Sequence, residues 1–240
     1  MQNAAFRALG LDWTYALLDV EPAGLVSAVA SLRAQDVAGA NVTIPYKQDV
    51  MQLLDTIDPE AVRVGAVNTI VNSDGALNGS NTDVAGLRHA LQALGIEPVG
   101  ISAVILGTGG SARAAAAALA GAHLTFGSRH PRDAGMPGLV LGWDDPRLAA
   151  ASRSAAVLVN ATPLGRHGEM PLRPAALPSA GAVIDLVYVR GGTPLVRKAR
   201  SLGLPAADGW DVLLAQGARS FEMWTGKPAP VEAMRQALQP

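Results

Sequence analysis

A glycine-rich turn carries the clearest chemical signal in this sequence. Residues 107–112 read Gly-Thr-Gly-Gly-Ser-Ala and follow the apolar run at 103–106. Small residues let the backbone approach a pyrophosphate, and a helix beginning there points N–H groups and its positive dipole end at the charge. The sequence predicts a nicotinamide dinucleotide site, with an unliganded strand–helix corner as the alternative. The cofactor-binding candidates are Gly107, Thr108, Gly109, Gly110, Ser111 and Ala112.

Residues after the next predicted strand distinguish between NAD and NADP. An NAD site carries an acidic residue about 20 positions beyond the turn, whereas residues 126–132 contain no carboxylate. Arg129 and Arg132 are suited to bind a 2′-phosphate, and Ser128 is suited to hydrogen-bond it. We therefore predict NADP(H) as the cofactor; the alternative is a solvated basic loop.

Polar residues also cluster at predicted strand ends in the first half of the chain. The clusters are Asn41-Val42-Thr43-Ile44-Pro45-Tyr46-Lys47, Gly65-Ala66-Val67-Asn68-Thr69 and Asn81-Thr82-Asp83. Amide, hydroxyl, ammonium and carboxylate groups on short connectors suit a polyhydroxylated substrate. A ketone that receives a hydride needs a proton donor within hydrogen-bond distance, and Lys47 beside Asp83 could supply one.

Each of these residues also has a purely structural interpretation. Asn41 and Asn68 could tie loops together, and Asp83 could cap the helix predicted to follow it, a role that Asn81 and Thr82 could share. Lys47 could be one of the many lysines that lie on protein surfaces. Spacing alone leaves both interpretations open.

Composition narrows the classes of protein considered. Of 240 residues 49% are hydrophobic, 16% charged and 4% aromatic, and the net charge is −1. These values favour a substantial core and argue against nucleic-acid or membrane partners. Cysteine is absent, which excludes thiolate chemistry and Cys-based zinc sites; we expect no metal. No targeting segment is recognisable, so we expect a cytoplasmic protein.

Strand and helix patterns alternate along the chain, which predicts parallel α/β sheets. Strands are predicted at 37–44, 103–106, 124–126, 156–159 and 182–185, with a hairpin at 66–79. Helices are predicted at 25–32, 48–54, 83–94, 111–120, 194–202, 212–224 and 231–238. The prolines and glycines between Arg129 and Leu139 leave little room for a crossover helix, so a loop or one helical turn is predicted there.

Seven segments follow one another in a fixed order along the chain. They are Asn-Val-Thr-Ile-Pro-Tyr-Lys, Gly-Ala-Val-Asn-Thr, Asn-Thr-Asp, Gly-x-Gly-Gly-x-Ala, Asn160-Ala161-Thr162-Pro163, Asp185-Leu186-Val187-Tyr188 and Leu214-Ala215-Gln216-Gly217. This set and order resemble the shikimate dehydrogenase family. The resemblance runs from about Asn3 to about Leu238. It implies an N-terminal α/β substrate domain (1–82 with 210–240) and a Rossmann-like NADP-binding domain (83–209), with C-terminal helices returning to the first.

The resemblance further implies reduction of 3-dehydroshikimate to shikimate with NADPH, on the route to aromatic amino acids. It implies Lys47 as the acid/base residue and Asp83 as its partner. Substrate binding would fall to Asn41, Thr43, Asn68, Tyr188 and Gln216. Ser128, Arg129 and Arg132 would surround the adenosine phosphate, and Thr162, Leu186 and Gly209 would lie near the nicotinamide. We expect a monomer or homodimer with a small-molecule substrate.

The chain departs from the family pattern at its start. Family members open with a strand and a Ser-x-Ser-Pro segment, whereas this sequence begins inside the following helix, and Gln2 stands where histidine is common. We favour a misassigned start over loss of the strand; upstream DNA would decide. Other activities to consider are a quinate-type dehydrogenase and a catalytically weak NADP-binding protein.

Overall fold

Two separate stretches of chain form the first of two units in this computed structural model, which describes residues 1–131 and 135–238. The first unit combines Met1–Ala85 with Leu214–Pro240, and the second is the continuous stretch Gly86–Leu213. The boundaries fall inside two helices, α4 (Thr82–Ala93) and α8 (Gly209–Thr225).

A four-stranded sheet lies at the centre of the first unit. Its strands are β1 (Gly39–Asn41), β2 (Thr56–Ile57), β3 (Thr69–Ser73) and β4 (Ala76–Ser80), in the order β1-β3-β4-β2. The predicted hairpin is confirmed, because β3 and β4 pair antiparallel across Asp74-Gly75. Both turn residues have positive φ, 53° and 89°, as the tightest hairpin turns require.

The strand predicted at 37–44 is shorter in the structure, where only Gly39–Asn41 belongs to β1. Pro45 has no N–H to give to a strand ladder, and the Tyr46 N–H donates to Thr43 O at 3.0 Å, so the chain turns. This turn directs Lys47 away from the strand.

Helices and short 3-10 turns supply the rest of this unit's core. They are α1 (Gln2–Ala8), α2 (Leu25–Ser31), α3 (Pro59–Val64) and α9 (Val231–Gln236), with 3-10 turns at Pro22–Gly24 and Asp49–Leu53. Val29, Ile70 and Leu77 belong to one buried cluster, and Phe6 and Phe221 belong to another. The helix predicted at 48–54 is only a short 3-10 turn, Asp49–Leu53. Helix α3 and strand β2 were not predicted.

The second unit contains a six-stranded, wholly parallel sheet. Its strands are β5 (Ser102–Leu106), β6 (His123–Ser128), β7 (Leu139–Gly142), β8 (Val157–Asn160), β9 (Ala182–Asp185) and β10 (Ala206–Ala207). Their order is β10-β9-β8-β5-β6-β7, so the direction of winding reverses between β5 and β8. The predicted α/β fold is confirmed. Ligands of doubly wound sheets bind at the carboxyl ends of the strands beside such a reversal.

Helices α5 (Gly110–Ala118), α6 (Pro146–Ser154) and α7 (Pro194–Ser201) connect these strands. Helix α6 was not predicted, although Asp145-Pro146 is a helix-start pattern and the Asp145 Oδ1 accepts from the Arg147 N–H at 2.9 Å. The loop predicted between Arg129 and Leu139 falls partly on residues 132–134, outside the described residues. Over the ranges described, no helix has both the length and the apolar character needed to cross a membrane.

Candidate active site

A lysine and an aspartate form an ion pair at the edge of the first sheet. Lys47 follows the turn after β1, and Asp83 lies in the first turn of α4. The Lys47 Nζ donates to the Asp83 Oδ2 at 2.6 Å, with the two side chains 18% and 20% exposed. The pair is thus largely shielded from water but still reachable by a small molecule.

Asn68, directly before β3, fixes this pair from one side. Its Nδ2 donates to the Asp83 Oδ1 at 2.8 Å, and its Oδ1 accepts the Thr82 N–H at 2.7 Å. A carboxylate only accepts and a backbone N–H only donates, so these two partners define which way the amide faces. Asp83 is therefore held by both oxygens, one on an ammonium and one on an amide.

A buried group of hydroxyls continues the network behind Asn68. Ser220 Oγ, on α8, lies 3.0 Å from Thr69 Oγ1 and 3.2 Å from Thr82 Oγ1. The Asn41 Nδ2 donates to Thr69 Oγ1 at 3.1 Å and to Ser220 Oγ at 3.0 Å. These contacts join β1, β3, α4 and α8 into one polar cluster that ends on the Lys47–Asp83 pair.

Two more side chains touch this cluster. The Thr82 Oγ1 donates to the Gln216 Oε1 at 3.3 Å. The Tyr15 hydroxyl donates to the Asn41 Oδ1 at 3.1 Å, and burial raises the pKa of Tyr15, so this hydroxyl stays protonated at neutral pH. Thr43 is exposed after β1, and its side chain makes no hydrogen bond to the cluster among residues 1–131 and 135–238.

The structural interpretations of Lys47 and Asp83 do not describe this geometry. Asn81 supplies the helix-start contact, because its Oδ1 accepts the Asp83 N–H at 3.1 Å. Asp83 lies inside α4, and its carboxylate faces Lys47 and Asn68 instead. Lys47 is not a solvated surface lysine. Sequence reasoning missed Tyr15 and Ser220, and gave Thr69 and Thr82 no binding role.

The glycine-rich turn joins β5 to α5 in the second unit. Gly107 has φ 105°, and a Cβ there would lie 3.1 Å from Ala161 O and 3.2 Å from Thr162 Cγ2. Gly109 precedes the nine-residue helix α5, which has no side-chain cap, and a Cβ at Gly109 would meet nothing within 4 Å. The backbone is therefore open where a phosphate would approach, with uncapped N–H groups facing it. Gly110, Ser111 and Ala112 form the first turn of α5.

Ser128 ends β6 beside this turn. Its Oγ accepts the His130 N–H at 3.1 Å and lies 3.5 Å from Thr108 Oγ1. Arg129 is the next residue and is exposed; its guanidinium makes no hydrogen bond to the part of the chain that the structure describes. Arg132 lies outside the described residues.

The remaining predicted cofactor residues follow β8 and β9. Thr162 is held by Asn160, whose Oδ1 accepts from Thr162 Oγ1 at 2.7 Å. The Leu186 N–H donates to Asn160 O at 3.0 Å, and a Cβ at Gly209 would lie 2.6 Å from Leu186 O. Glycine at 209 thus lets the start of α8 pack on the backbone after β9.

Tyr188 lies further along the same loop, 43% exposed. Its ring centroid is 5.0 Å from that of Trp210, and the Trp210 Nε1 donates to Val189 O at 3.3 Å. Tyr188 and Trp210 both belong to the second unit, whereas the other predicted substrate-binding residues belong to the first.

A fully buried carboxylate, Asp185, ends β9. Burial raises the pKa of Asp185, and hydrogen bonds from Thr193, Val187 and Asn160 oppose that rise. Sequence reasoning quoted Asp185 within a motif but gave it no role. Across the described ranges, no three histidine, aspartate or glutamate side chains come together as a metal site.

A doubly wound parallel sheet with an open glycine-rich turn at the reversal of strand order is the architecture of a dinucleotide-binding protein. Comparison with known proteins specifies the family. A family model described as the shikimate dehydrogenase substrate binding domain matches residues 1–70. A model of the shikimate 5′-dehydrogenase C-terminal domain matches residues 209–239.

Full-length relatives agree with these matches. The shikimate dehydrogenase (NADP(+)) of Moorella thermoacetica is 41% identical over 256 residues, covering 100% of this chain and 87% of that protein. A crystal structure of the Thermus thermophilus shikimate 5-dehydrogenase with NADP(H) and shikimate has a TM-score of 0.87 at 35% identity, covering 98% of this chain and 90% of that one. The chain belongs to the shikimate dehydrogenase family, a family of oxidoreductases, and the predicted family is confirmed.

A 5-ketofructose reductase of a Gluconobacter strain is also similar in structure. Its TM-score is 0.86 at 31% identity, covering 99% of this chain and 91% of that one. That enzyme's name indicates a different keto compound. The choice of substrate is therefore a separate question from the choice of family.

Proposed function

We propose that this protein reduces 3-dehydroshikimate to shikimate with NADPH, reversibly, in the synthesis of aromatic amino acids. The observation that carries the proposal is the Lys47–Asp83–Asn68 cluster, in which an ammonium and a carboxylate meet at 2.6 Å beside uncharged amide and hydroxyl donors. Such a set suits a ring that carries a ketone and several hydroxyls. The first unit would bind this substrate, and the second would bind NADP(H).

Lys47 would act as the proton donor in this reduction. Bound NADPH supplies the hydride that reduces the carbonyl carbon. As that carbon is reduced, the carbonyl oxygen gains negative charge, and a Lys47 Nζ–H transfers its proton to that oxygen. Asp83 keeps the ammonium in place through Oδ2, while Asn68 holds the other carboxylate oxygen. In the reverse direction Lys47 accepts the proton from the substrate hydroxyl, and water exchanges it.

Substrate binding would fall to residues that line this pair. Asn41, Asn68 and Gln216 bear amides within the cluster, and Thr43 lies beside it in sequence. Tyr188 stays a predicted substrate-binding residue and would act through its hydroxyl. The network through Thr69, Thr82 and Ser220 holds Asn41 and Asn68 in fixed orientations, which reduces the entropy lost when a substrate binds.

Cofactor binding would use the turn at residues 107–112 for the pyrophosphate. Gly107 provides the positive φ and Gly109 the open approach, so the residues present fit a dinucleotide. Ser128, Arg129 and Arg132 would hold the 2′-phosphate. Thr162, Leu186 and Gly209 would contact the nicotinamide side.

The direct test is turnover by the purified protein. We expect loss of NADPH absorbance when 3-dehydroshikimate is added, and reduction of NADP+ when shikimate is added. Quinate and 5-ketofructose should be assayed beside them, because a related cyclic polyol acid or keto sugar is the alternative substrate. Larger kcat/KM for either of those than for the shikimate pair would overturn the substrate assignment, and no turnover with any of them would overturn the activity.

Arg129 should determine the preference for NADPH over NADH. Replacing it with alanine removes a charge-assisted contact to the 2′-phosphate, and we expect KM for NADPH to rise about 10- to 100-fold. The KM for NADH should not change, since NADH lacks that phosphate. Arg153→Ala, at an exposed arginine on α6 of the second unit, is the matched control. An equal rise in KM for both cofactors would show that Arg129 does not bind the 2′-phosphate.

A further inference from the structure

Asp185 is buried more completely than a charged group usually tolerates, and the proposed chemistry does not use it. Its Oδ1 accepts from Asn160 Nδ2 at 2.8 Å and from the Val187 N–H at 3.0 Å. Its Oδ2 accepts from Thr193 Oγ1 at 2.6 Å. A carboxylate without water is costly unless its oxygens find donors, and here three donors replace the water. An apolar side chain would fill the same space without the cost of desolvating a carboxylate. The hydrogen bonds that its oxygens accept are therefore the reason for a carboxylate at this position.

Three segments of chain meet on this carboxylate. Asn160 ends β8, Val187 lies in the loop after β9, and Thr193 caps the start of α7, where its Oγ1 also accepts the Val196 N–H at 3.2 Å. Because the donors come from three places, the carboxylate ties the loop after β9 to the strand beside it. Removing it would release both ends of that loop at once.

Asn160 links Asp185 to the loop after β8. Its Nδ2 donates to Asp185 and also to Leu164 O at 2.9 Å, and its Oδ1 accepts the Thr162 N–H at 3.1 Å. The orientation of this amide follows from Asp185, which can only accept. The position of Thr162 therefore depends on a carboxylate that it does not touch.

These two loops lie on the ligand side of the second sheet. They follow the carboxyl ends of β8 and β9, next to the reversal of strand order between β5 and β8. Thr162 packs directly beside Gly107 of the glycine-rich turn, and Ser128 lies on the opposite side, at the end of β6. A dinucleotide with its phosphates at the turn and its adenosine toward Ser128 must extend its other half over the loops after β8 and β9.

We propose that Asp185 is a positioning residue for the nicotinamide half of NADP(H), acting through Asn160, Thr162 and the backbone at 186–187. The proposal rests on the cofactor part of the proposed function. The hydrogen-bond network beneath these loops, together with the residues that face the ligand, positions the reactive nicotinamide ring.

The experiment compares whole and half cofactor on the same variants. Dissociation constants are measured for NADP+ and for adenosine 2′,5′-bisphosphate, which carries the 2′-phosphate and one 5′-phosphate but no nicotinamide. For Asp185→Ala we expect NADP+ to bind about tenfold more weakly or worse, with binding of the bisphosphate unchanged. A residue that only supports the fold would weaken both ligands together, since both need the folded turn.

Two further variants keep the proposal testable if Asp185→Ala does not fold. Asp185→Asn retains an acceptor for Asn160 and Val187, and its amide can donate to Thr193 Oγ1, so NADP+ affinity should be largely restored. Thr193→Val removes the donor to Oδ2 and should weaken NADP+ selectively. Ser152→Ala, at a fully buried serine on α6, is the control and should change neither ligand.

The proposal is overturned if Asp185→Ala or Thr193→Val weakens both ligands equally or neither of them. Its failure is distinct from a failure of the proposed reaction. Binding of NADP+ and of the bisphosphate can be measured whether or not the protein reduces 3-dehydroshikimate.

Discussion

Replacing Lys47 with alanine is expected to lower kcat for 3-dehydroshikimate reduction by about 10²- to 10⁴-fold, the usual contribution of a positioned proton donor. The Lys47 Nζ lies 2.6 Å from Asp83 Oδ2 and the lysine side chain is 18% exposed, so alanine removes the positioned proton donor from this site. NADPH binding should be unchanged, because Lys47 and the glycine-rich turn belong to different units. Steady-state turnover together with an NADPH titration measures both quantities.

Two further substitutions separate charge from proton transfer. Lys47→Arg keeps a cation beside Asp83 but gives up its proton far less readily, so it should lose kcat nearly as completely as the alanine variant. Lys227→Ala, at an exposed lysine of the first unit, should behave as wild type. Wild-type turnover in either Lys47 variant would remove this residue from the proposed chemistry.

Alanine at Gly109 should abolish most cofactor affinity without destabilising the protein. A Cβ there meets no atom within 4 Å, so the fold accommodates it, but it would occupy the space through which a pyrophosphate approaches the backbone. We expect NADPH to bind at least about tenfold more weakly. Titration of NADPH and thermal unfolding of the same sample distinguish the two effects.

Gly107→Ala should destabilise the fold more than it weakens NADPH binding. Its φ of 105° and the 3.1 Å approach to Ala161 O make an added Cβ strained, at a cost of about 1–3 kcal/mol in the free energy of unfolding. Gly142→Ala, at another open glycine of the same sheet, serves as the control for a harmless methyl group. NADPH affinity equal to that of the wild type in Gly109→Ala would mean that the phosphates lie elsewhere.

Elements with strong local patterns could be predicted from the sequence, and short ones could not. The hairpin at β3 and β4 has apolar residues on both sides of an Asp-Gly turn, and most residues of β5 and β9 are apolar. Strands β2 and β10 contain two residues each, too few for any periodicity to appear. Their existence depends on neighbouring strands that offer a ladder.

The residues of the candidate site likewise divide into those that the sequence indicates and those that only the structure reveals. Lys47, Asn68 and Asp83 attract notice because an ammonium, an amide and a carboxylate lie on short connectors near predicted strand ends. The structure brings the three together. Ser220 is an ordinary serine within an amphipathic helix, and its partner Thr69 lies 151 positions earlier in the chain. Only tertiary packing reveals such a contact, so no local pattern could have indicated it.

Asp185 illustrates a third case. A carboxylate at the end of a buried strand is visible in the sequence, but its role depends on three donors from separate segments. Neither charge nor spacing indicates that Asn160 and Thr193 point toward it. Residues that act through others are therefore the hardest to infer without coordinates.

The discontinuous first unit has a consequence for the order in which the protein folds during synthesis. Residues 86–213 form one continuous stretch and leave the ribosome before residues 214–240, so the second unit can fold first. The first unit must wait, because Ala5 and Phe6 share a buried cluster with Phe221 and Met234. Until the last helices emerge, apolar surface near the start of the chain stays uncovered, and a nascent chain stalled before α8 would be a natural target for chaperones.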